Sequence, residues 1–395
     1  MKIGIVCPYA YDVPGGVQFH VRDQARELRR RGHEVSVFAP VETEYSEDGF
    51  VNAGKTFAIP YNGSVARLAF GPRVAARTRQ WVTTSDFDIL HVHEPATPSV
   101  SLIALQHARC PVVGTFHVAI ERSLLYTLGK PVVQSVKEKL SAQIAVSSEA
   151  RRTLFRYQGG DAVIIPNGVD FSAFAEAKPR STWSDSEQSP VFCFLGRLDE
   201  PRKGLAVLVK AIPLVLARFG QARFLIAGPG SASRARADLE PYRENVQFLG
   251  PLSEQDKLSL FKSATAYIAP QTGGESFGIG LVGGMAGGCL VVASSIPAFE
   301  TVLEQGSLGE IFISEDENSL AEKLLGVCEN RQQAAHLARR GHENAKRYDW
   351  SAVTDQVLEV YRHCLSGSKQ NRRAKAYFHL AAGYKKMSNS VLPLN

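Results

Sequence analysis

No stretch of the chain approaches the roughly 20 consecutive apolar residues that a membrane-spanning helix needs, so any bilayer contact is expected to be peripheral. Met1 to Cys7 is apolar but too short for the core of a signal sequence, and polar Tyr9, Tyr11 and Asp12 follow, so export is not expected. Paired cysteine motifs are also missing. Cys7, Cys110, Cys193, Cys289, Cys328 and Cys364 are scattered without a C-x-x-C, several of them inside apolar runs such as Val191 to Leu195. This argues against a disulfide framework and fits buried thiols in a reducing cytosol. No helix-turn-helix or base-reading pattern occurs, so nucleic acid has no support as a partner.

What is present describes a globular protein: 44% hydrophobic and 21% charged residues, with 33 Gly and 20 Pro. A length of 395 residues exceeds what one hydrophobic core organises and favours two domains. The net charge of +6 is modest. Its distribution is more informative, because basic residues gather at Arg67 to Arg79 and from Lys369 to Lys386, where anionic phosphate or an anionic bilayer is a plausible partner.

Short β-branched runs alternate with helical patterns, as in a parallel sheet wound with helices. Strands are expected at Ile3 to Cys7, Val35 to Phe38, Ile89 to His93, Val112 to Thr115 and Ile144 to Val146. A helix is expected from Val17 to Arg31, where Val17, Val21, Ala25 and Leu28 recur on one face and Gly32 stops it. A polar stretch from Lys178 to Pro190 reads as a linker, and a second winding follows: strands at 191–195, 222–227, 246–248, 266–269 and 291–293 with a helix at 206–218. Two Rossmann-like lobes result, with a nucleotide expected at the carboxyl ends of the strands. The tail after Leu365 is expected to be loosely ordered, and residues 374–386 can be written either as a short amphipathic helix touching lipid or as a solvated segment.

Four loops carry candidate chemistry. Gly15 and Gly16 precede the first helix, which suits either close approach of an anion or an ordinary strand-to-helix loop. Arg197 and Lys203 lie six residues apart in the loop after the first strand of the second lobe. They are either a pyrophosphate clamp or a solvated basic loop. Gly273-Gly-Glu-Ser-Phe-Gly-Ile-Gly280 follows a strand and opens a helix, so the N–H groups of Phe277, Gly278 and Ile279 can meet phosphate or sugar hydroxyls while Glu275 accepts from the sugar. His117 ends a strand of the first lobe and is read as a sugar contact. His91 and His93, beside Glu94, hint at a metal, but no third ligand at metal spacing is evident in the sequence, and a structural role is expected.

Taken together, these strings resemble the retaining GT4-type glycosyltransferases, and within them the actinobacterial phosphatidyl-myo-inositol mannosyltransferases. The likeness runs from Met1 to about Tyr361. It rests on Asp12-Val-Pro-Gly-Gly-Val-Gln18, Pro60-Tyr-Asn-Gly-Ser-Val-Ala-Arg-Leu68, His93-Glu-Pro95, Thr115-Phe-His117, Pro166-Asn-Gly-Val-Asp170, Asp199-Glu-Pro-Arg-Lys-Gly204, Gly273 to Ile279 and Tyr348-Asp-Trp-Ser351. Pro60 to Leu68 is the stretch least common among GT4 enzymes at large.

The resemblance implies a GT-B fold, with two Rossmann-like domains facing a deep cleft. Residues 1–170 would bind acceptor and membrane, joined by a crossover helix at 351–366. Residues 171–190 would be a linker, 191–350 the nucleotide-sugar domain, and 367–395 a basic tail. It implies GDP-mannose as donor, no cofactor and no catalytic metal, transfer of α-mannose with retention to the inositol ring of phosphatidylinositol, and a cytoplasmic enzyme peripheral on the inner face of the plasma membrane. By matching position, Gly16, Arg197 and Lys203 would hold the diphosphate, Glu275 and His117 the mannose, and Glu254 and Lys257 the nucleoside end. Tyr9, Gln18, Asn62, Ser64 and Arg67 would line the acceptor pocket, and Arg73, Arg77 and Arg79, near Trp81, would face anionic lipid.

The sequence departs from the family in three places. The second glutamate of the E-x7-E pattern that starts at Glu275 is Gly283. Its hydrogen bonds to the donor ribose, each worth roughly 1.5–3 kcal/mol, would be lost. An acceptor-side arginine is Ala69, and a basic residue is missing from Gly228-Pro-Gly230. Two alternatives therefore stay open: a GT4 enzyme with another nucleotide sugar or acceptor, and a poorly active binding paralogue.

Overall fold

The computed structural model describes residues 1–61, 64–119, 138–158, 160–184, 186 and 189–370. Asn62 and the helix considered at 374–386 lie outside these residues. The chain divides into two compact units, Met1–Ile165 with Thr354–Asn395, and Pro166–Val353.

The first unit is built on β1 (Lys2–Val6), β2 (Glu34–Val41), β3 (Phe50–Lys55), β4 (Phe57–Tyr61), β5 (Ser64–Leu68), β6 (Ile89–His93), β7 (Val112–Phe116), β8 (Ala142–Ala145) and β9 (Val163–Ile164). Seven of these form one sheet in the order β3-β2-β1-β6-β7-β8-β9, all parallel, while β4 and β5 pair as a separate antiparallel hairpin. Ile3, Ile5 and Val6 in β1, and all five residues of β6 and β7, are buried, as expected of parallel strands covered on both faces. The first helix spans Gly16–Arg30 and buries Val21, Ala25 and Leu28, and Gly32 takes the left-handed φ of 81° that turns the chain into β2.

The second unit repeats the plan with β10 (Val191–Leu195), β11 (Arg223–Ala227), β12 (Val246–Gly250), β13 (Ala266–Ala269), β14 (Leu290–Ser294) and β15 (Glu310–Phe312), in the order β12-β11-β10-β13-β14-β15. The segment 171–190 is not bare chain. It holds the helix Phe171–Glu176 and a turn at Ser181–Trp183, and Phe174 and Trp183 are buried in the core of this unit with Phe261 and Tyr267. The gain from burying these two aromatics explains why so polar a stretch packs rather than spans. The last helix, Trp350–Gln370, starts in the second unit, where Trp350 N–H donates to Val169 O at 3.1 Å. From Thr354 it belongs to the first unit, where Tyr361 is fully buried.

In each sheet the strand order reverses at one point, between β1 and β6 and between β10 and β13. Loops leaving the carboxyl ends of such strands diverge and open a crevice, the usual place for a ligand in this architecture. Two glycines bring these loops together in the second unit. A Cβ on Gly204 (φ 75°) would lie 1.7 Å from Pro270 O, and one on Gly228 (φ 139°) 1.7 Å from Gly196 O. Only a residue without a side chain lets the loop after β10 touch the loops after β13 and β11. Gly204→Ala should therefore combine left-handed strain with a backbone clash and cost about 3 kcal/mol. A denaturant midpoint for the second unit unchanged from wild type would contradict this packing.

Candidate active site

The loop after β10 carries Arg197, Arg202 and Lys203, and the loop after β13 carries Gly273, Gly274 and Glu275. Lys203 Nζ donates to Glu275 Oε1, and Arg202 Nη1 reaches the same oxygen at 3.3 Å and Gly274 O at 3.3 Å. Arg202 also pairs with Glu200. Thr272 N–H donates to Arg202 O at 3.0 Å, so backbone and side chains both stitch the two loops. Lys203 and Glu275 keep about a fifth of their side-chain surface exposed. The pair is therefore partly desolvated, where a charge-assisted bond holds its geometry better than on an open surface.

Arg202 is a member of this cluster that the sequence did not single out. It adjoins Lys203, and only the short 3-10 turn Pro201–Lys203 brings both cations to one carboxylate. Arg202 and Lys203 are balanced by Glu200 and Glu275, while Arg197 is exposed and makes no ion pair among the described residues. Ser253 caps the helix Glu254–Ser263 by accepting from Asp256 N–H at 3.1 Å, and in its first turn Lys257 Nζ donates to exposed Glu254 at 2.6 Å.

The glycine-rich loop enters the helix Ile279–Ala286 through Gly278 at φ 93°, with Phe277 buried and Ile279 exposed. This helix is studded with glycine because two aromatic rings press on it. Cβ atoms on Gly280 and Gly284 would lie 2.8 and 3.1 Å from Tyr267, and one on Gly287 2.6 Å from Phe261. Gly283 belongs to the same surface: its Cβ would meet Phe261 at 3.3 Å and Phe174 at 3.7 Å. Gly283 is thus one part of a glycine-lined contact with these rings. The other two departures also fit the packing. Ala69 is fully buried, with Ser99 Oγ donating to its carbonyl at 2.9 Å, and Gly228 sits against Gly196.

In the first unit, His93 ends β6 and His117 follows β7. Strand pairing sets His93 beside Thr115, and the Gly16–Arg30 helix adds His20 and Gln24. His93 Nδ1 is 2.8 Å from His117 Nε2, and His93 Nε2 is 3.1 Å from Gln24 Oε1. His91 reaches Tyr361 Oη and Thr115 Oγ1 at 2.6 Å each. Spacing along the chain offers His91 and His93 no third companion, yet the fold assembles His20, His93 and His117 with ligand atoms within 4.8 Å of one another. Three separate elements contribute them, which spacing along one strand does not reveal. Beside them, Glu94 takes φ 47° and its Oε1 accepts from the backbone N–H groups of His117 at 2.5 Å and Val118 at 3.1 Å. Burial pushes its carboxyl up to about 7, against the pull of those two donors. Burial likewise holds His91 down at about 3 and His93 and His117 well below the usual imidazole value.

The remaining candidates sit on the loop after β1, the hairpin and the helix that follows it. A Cβ on Gly16, which opens its helix, would meet nothing within 4 Å, and Gln18 donates to Ala10 O at 3.3 Å. Tyr9 bridges to Leu68, and Ala10 N–H donates to Arg67 O at 3.0 Å, which ties the loop to β5. Arg67 Nε donates to Glu42 at 2.7 Å, and Ser64 begins β5. In the helix Pro72–Thr84, Arg73, Arg77 and Arg79 are exposed and make no ion pair among the described residues. Trp81 is not at the surface with them: it is buried, stacked on Phe38 at 4.8 Å, and donates to Ser36 Oγ. All six cysteines are free, and no helix among the described residues is long and apolar enough to cross a membrane.

Two parallel-sheet Rossmann-like units are the plan of the GT-B glycosyltransferases. Residues 14–173 match Glycosyltransferase Family 4, and residues 189–330 match Glycosyl transferases group 1. Anabaena HepE, solved in complex with UDP, superposes with a TM-score of 0.73 at 19% identity, covering 92% of this chain and 100% of that one. Sucrose-phosphate synthase from Thermosynechococcus elongatus gives 0.69 at 18% identity, covering 93% and 99%. At such identities the likeness is one of fold. The chain is a GT4 glycosyltransferase. It is 45% identical over 362 residues to the phosphatidyl-myo-inositol mannosyltransferase of Mycolicibacterium smegmatis, covering 91% of this chain and 93% of that one, and 36% identical over 393 residues to that of Propionibacterium freudenreichii, covering 95% and 100%. It belongs to the phosphatidyl-myo-inositol mannosyltransferase family.

The buried histidines make the first unit acid-sensitive. Their folded values lie below the unfolded one, so the stability they contribute is present above about pH 6.5 and is lost as pH falls. Glu94 works oppositely, since its raised value favours the fold below pH 7. Three imidazoles outweigh one carboxyl between pH 6.5 and 5, so the unfolded state takes up more protons there and is increasingly favoured as pH falls. Denaturant midpoints measured at pH 7, 6 and 5 should fall steadily. A flat or rising series would show that the histidines are not buried as neutral groups.

Proposed function

We propose that the chain transfers an α-mannosyl group from GDP-mannose to the inositol ring of phosphatidylinositol, with retention of configuration, as the first mannosylation of that lipid. The observation that carries this reading is the 45% identity to a phosphatidyl-myo-inositol mannosyltransferase across 91% of the chain. The Lys203–Glu275 pair gives it a chemical focus. A leaving nucleoside diphosphate accumulates negative charge, which Arg197, Lys203 and the helix N-terminus at Gly16 offset. Glu275 and His117 take the mannose, with the N–H groups around Phe277, Gly278 and Ile279 at the donor, and Glu254 and Lys257 take the nucleoside end. Residues 191–350 are the donor domain in this reading, and residues 1–170 the acceptor domain.

Tyr9, Gln18, Asn62, Ser64 and Arg67 receive the inositol phosphate headgroup, Arg67 as the bidentate cation once it exchanges Glu42 for phosphate. Arg73, Arg77 and Arg79 meet the anionic bilayer at the inner face of the plasma membrane, each adding about 1 kcal/mol near such a surface. Their exposure and their lack of ion pairs among the described residues favour this role.

A second reading, a binding paralogue with poor turnover, is favoured by Gly283. Labelled GDP-mannose incubated with phosphatidylinositol vesicles separates the two. Transfer by the natural chain is expected and removes the paralogue reading. Transfer by Gly283→Glu alone would support it, and transfer by neither would sink the mannosyl assignment. Because Phe261 lies 3.3 Å from the Gly283 Cβ position, Gly283→Glu is also expected to lose about 1–3 kcal/mol of stability. Lys203→Ala should lower turnover about a hundredfold or more. Arg77→Ala should leave turnover on a soluble acceptor near wild type and weaken binding to anionic vesicles about fivefold. The reverse order of the two variants would contradict these roles.

A further inference from the structure

The buried polar groups beneath His117 form one continuous hydrogen-bonded chain, and its polarity follows from elementary accounting. Tyr361, on the Trp350–Gln370 helix, is fully buried, and among the described residues its hydroxyl has a single partner, His91 Nδ1 at 2.6 Å. The Gln24 amide sets the direction: its nitrogen, a donor only, lies 3.3 Å from His91 Nδ1 and its oxygen, an acceptor only, 3.1 Å from His93 Nε2. Tyr361 therefore donates, and His91 Nδ1 is the unprotonated nitrogen. His91 then carries its proton on Nε2 and donates to Thr115 Oγ1 at 2.6 Å.

The direction propagates outward. The other end of the Gln24 amide, its carbonyl, faces His93 Nε2. His93 must therefore donate from Nε2 and accept at Nδ1. The group 2.8 Å away, His117 Nε2, is the donor to it. His91, His93, Gln24 and Tyr361 are all at 0% exposure, so no water competes at these links. The backbone N–H of His117 is meanwhile fixed by Glu94.

We infer that Tyr361, His91, Gln24 and His93 are positioning residues that hold His117 as the neutral tautomer protonated on Nε2, leaving Nδ1 as a lone-pair acceptor for a sugar hydroxyl. The part concerning sugar rests on the function proposed above; the tautomer does not. Burial keeps the ring neutral, which the tautomer requires. The same three imidazoles invite comparison with a metal site. Two nitrogens on one tetrahedral zinc at 2.0–2.1 Å would stand about 3.3 Å apart. The 2.8 Å separation of His93 and His117 is that of a hydrogen bond.

The test is a nitrogen-15 NMR spectrum of the full chain labelled in histidine, in which protonated and unprotonated ring nitrogens are well separated. The His117 ring, assigned by its loss in His117→Asn, is expected to show a protonated Nε2 and an unprotonated Nδ1. In Tyr361→Phe that preference should weaken or reverse, and turnover should fall roughly tenfold to a hundredfold with the donor KM nearly unchanged, the size of effect typical when a partner orienting a histidine is removed. The opposite tautomer in the wild-type chain, a protonated imidazolium at pH 7, or one equivalent of a bound transition metal by elemental analysis would each overturn the inference, and the last needs no variant to fold. If the tautomer is as stated while His117→Asn still transfers sugar at the wild-type rate, the chain of bonds stands and the sugar contact falls.

Discussion

The loops that close on each other in the second unit meet at a single carboxylate. Glu275 accepts from Lys203 and Arg202 at one oxygen, and through that contact the loop after β10 is locked to the loop after β13. Those strands are neighbours at the point where the sheet order reverses, so the fold delivers the two loops side by side. Gly204 then allows the approach that a side chain would block. Two cations balanced by two carboxylates hold charge without a net local excess, and in the function proposed above an arriving diphosphate or sugar would meet groups already placed. Electrostatic preorganisation of this kind is usually the main way a site stabilises a transition state.

The first unit reaches the same end by different means. Its candidate groups are neutral imidazoles in a dry interior, ordered by hydrogen bonds rather than by charge. His117 is gripped twice, by Glu94 at its backbone and by His93 at its ring. The grip extends to Tyr361, 270 residues from His91 in sequence, so the helix that returns to this unit also takes part in the orientation of the histidine. A buried hydrogen-bonded network of this kind specifies one arrangement of its members.

Much of this was legible in the sequence. The alternation of β-branched runs with helical periodicity announced two wound sheets, and the glycine-rich runs marked where loops leave strands and enter helices. Gly16, Lys203 and Glu275 are found at the ends of strands because the doubly wound topology puts loops there. What the sequence concealed were contacts set by tertiary placement. Arg202 differs from its neighbours only by the direction a short turn gives it. Gln24 and Tyr361 have ordinary helical spacing and join His91 and His93 in one hydrogen-bonded network only when three elements pack, and His20 meets the same rings edge-on. Trp81 looked like part of a basic, lipid-facing surface, but its ring is large enough that the core takes it.

Gly283 changed meaning most. As a letter in a motif it is a missing ribose contact; in the structure it is one of four glycines that let Phe261 and Tyr267 close on a helix. In the proposed function the donor would then rely more heavily on diphosphate and sugar contacts, which returns the weight to the Lys203–Glu275 pair. Calorimetric titration of GDP-mannose into the wild-type chain and into Lys203→Ala measures that directly. Saturable one-to-one binding that weakens with salt and is lost in the variant is the expected result. Equal affinity in both proteins, or tighter binding of UDP-glucose than of GDP-mannose by the wild-type chain, would contradict the account.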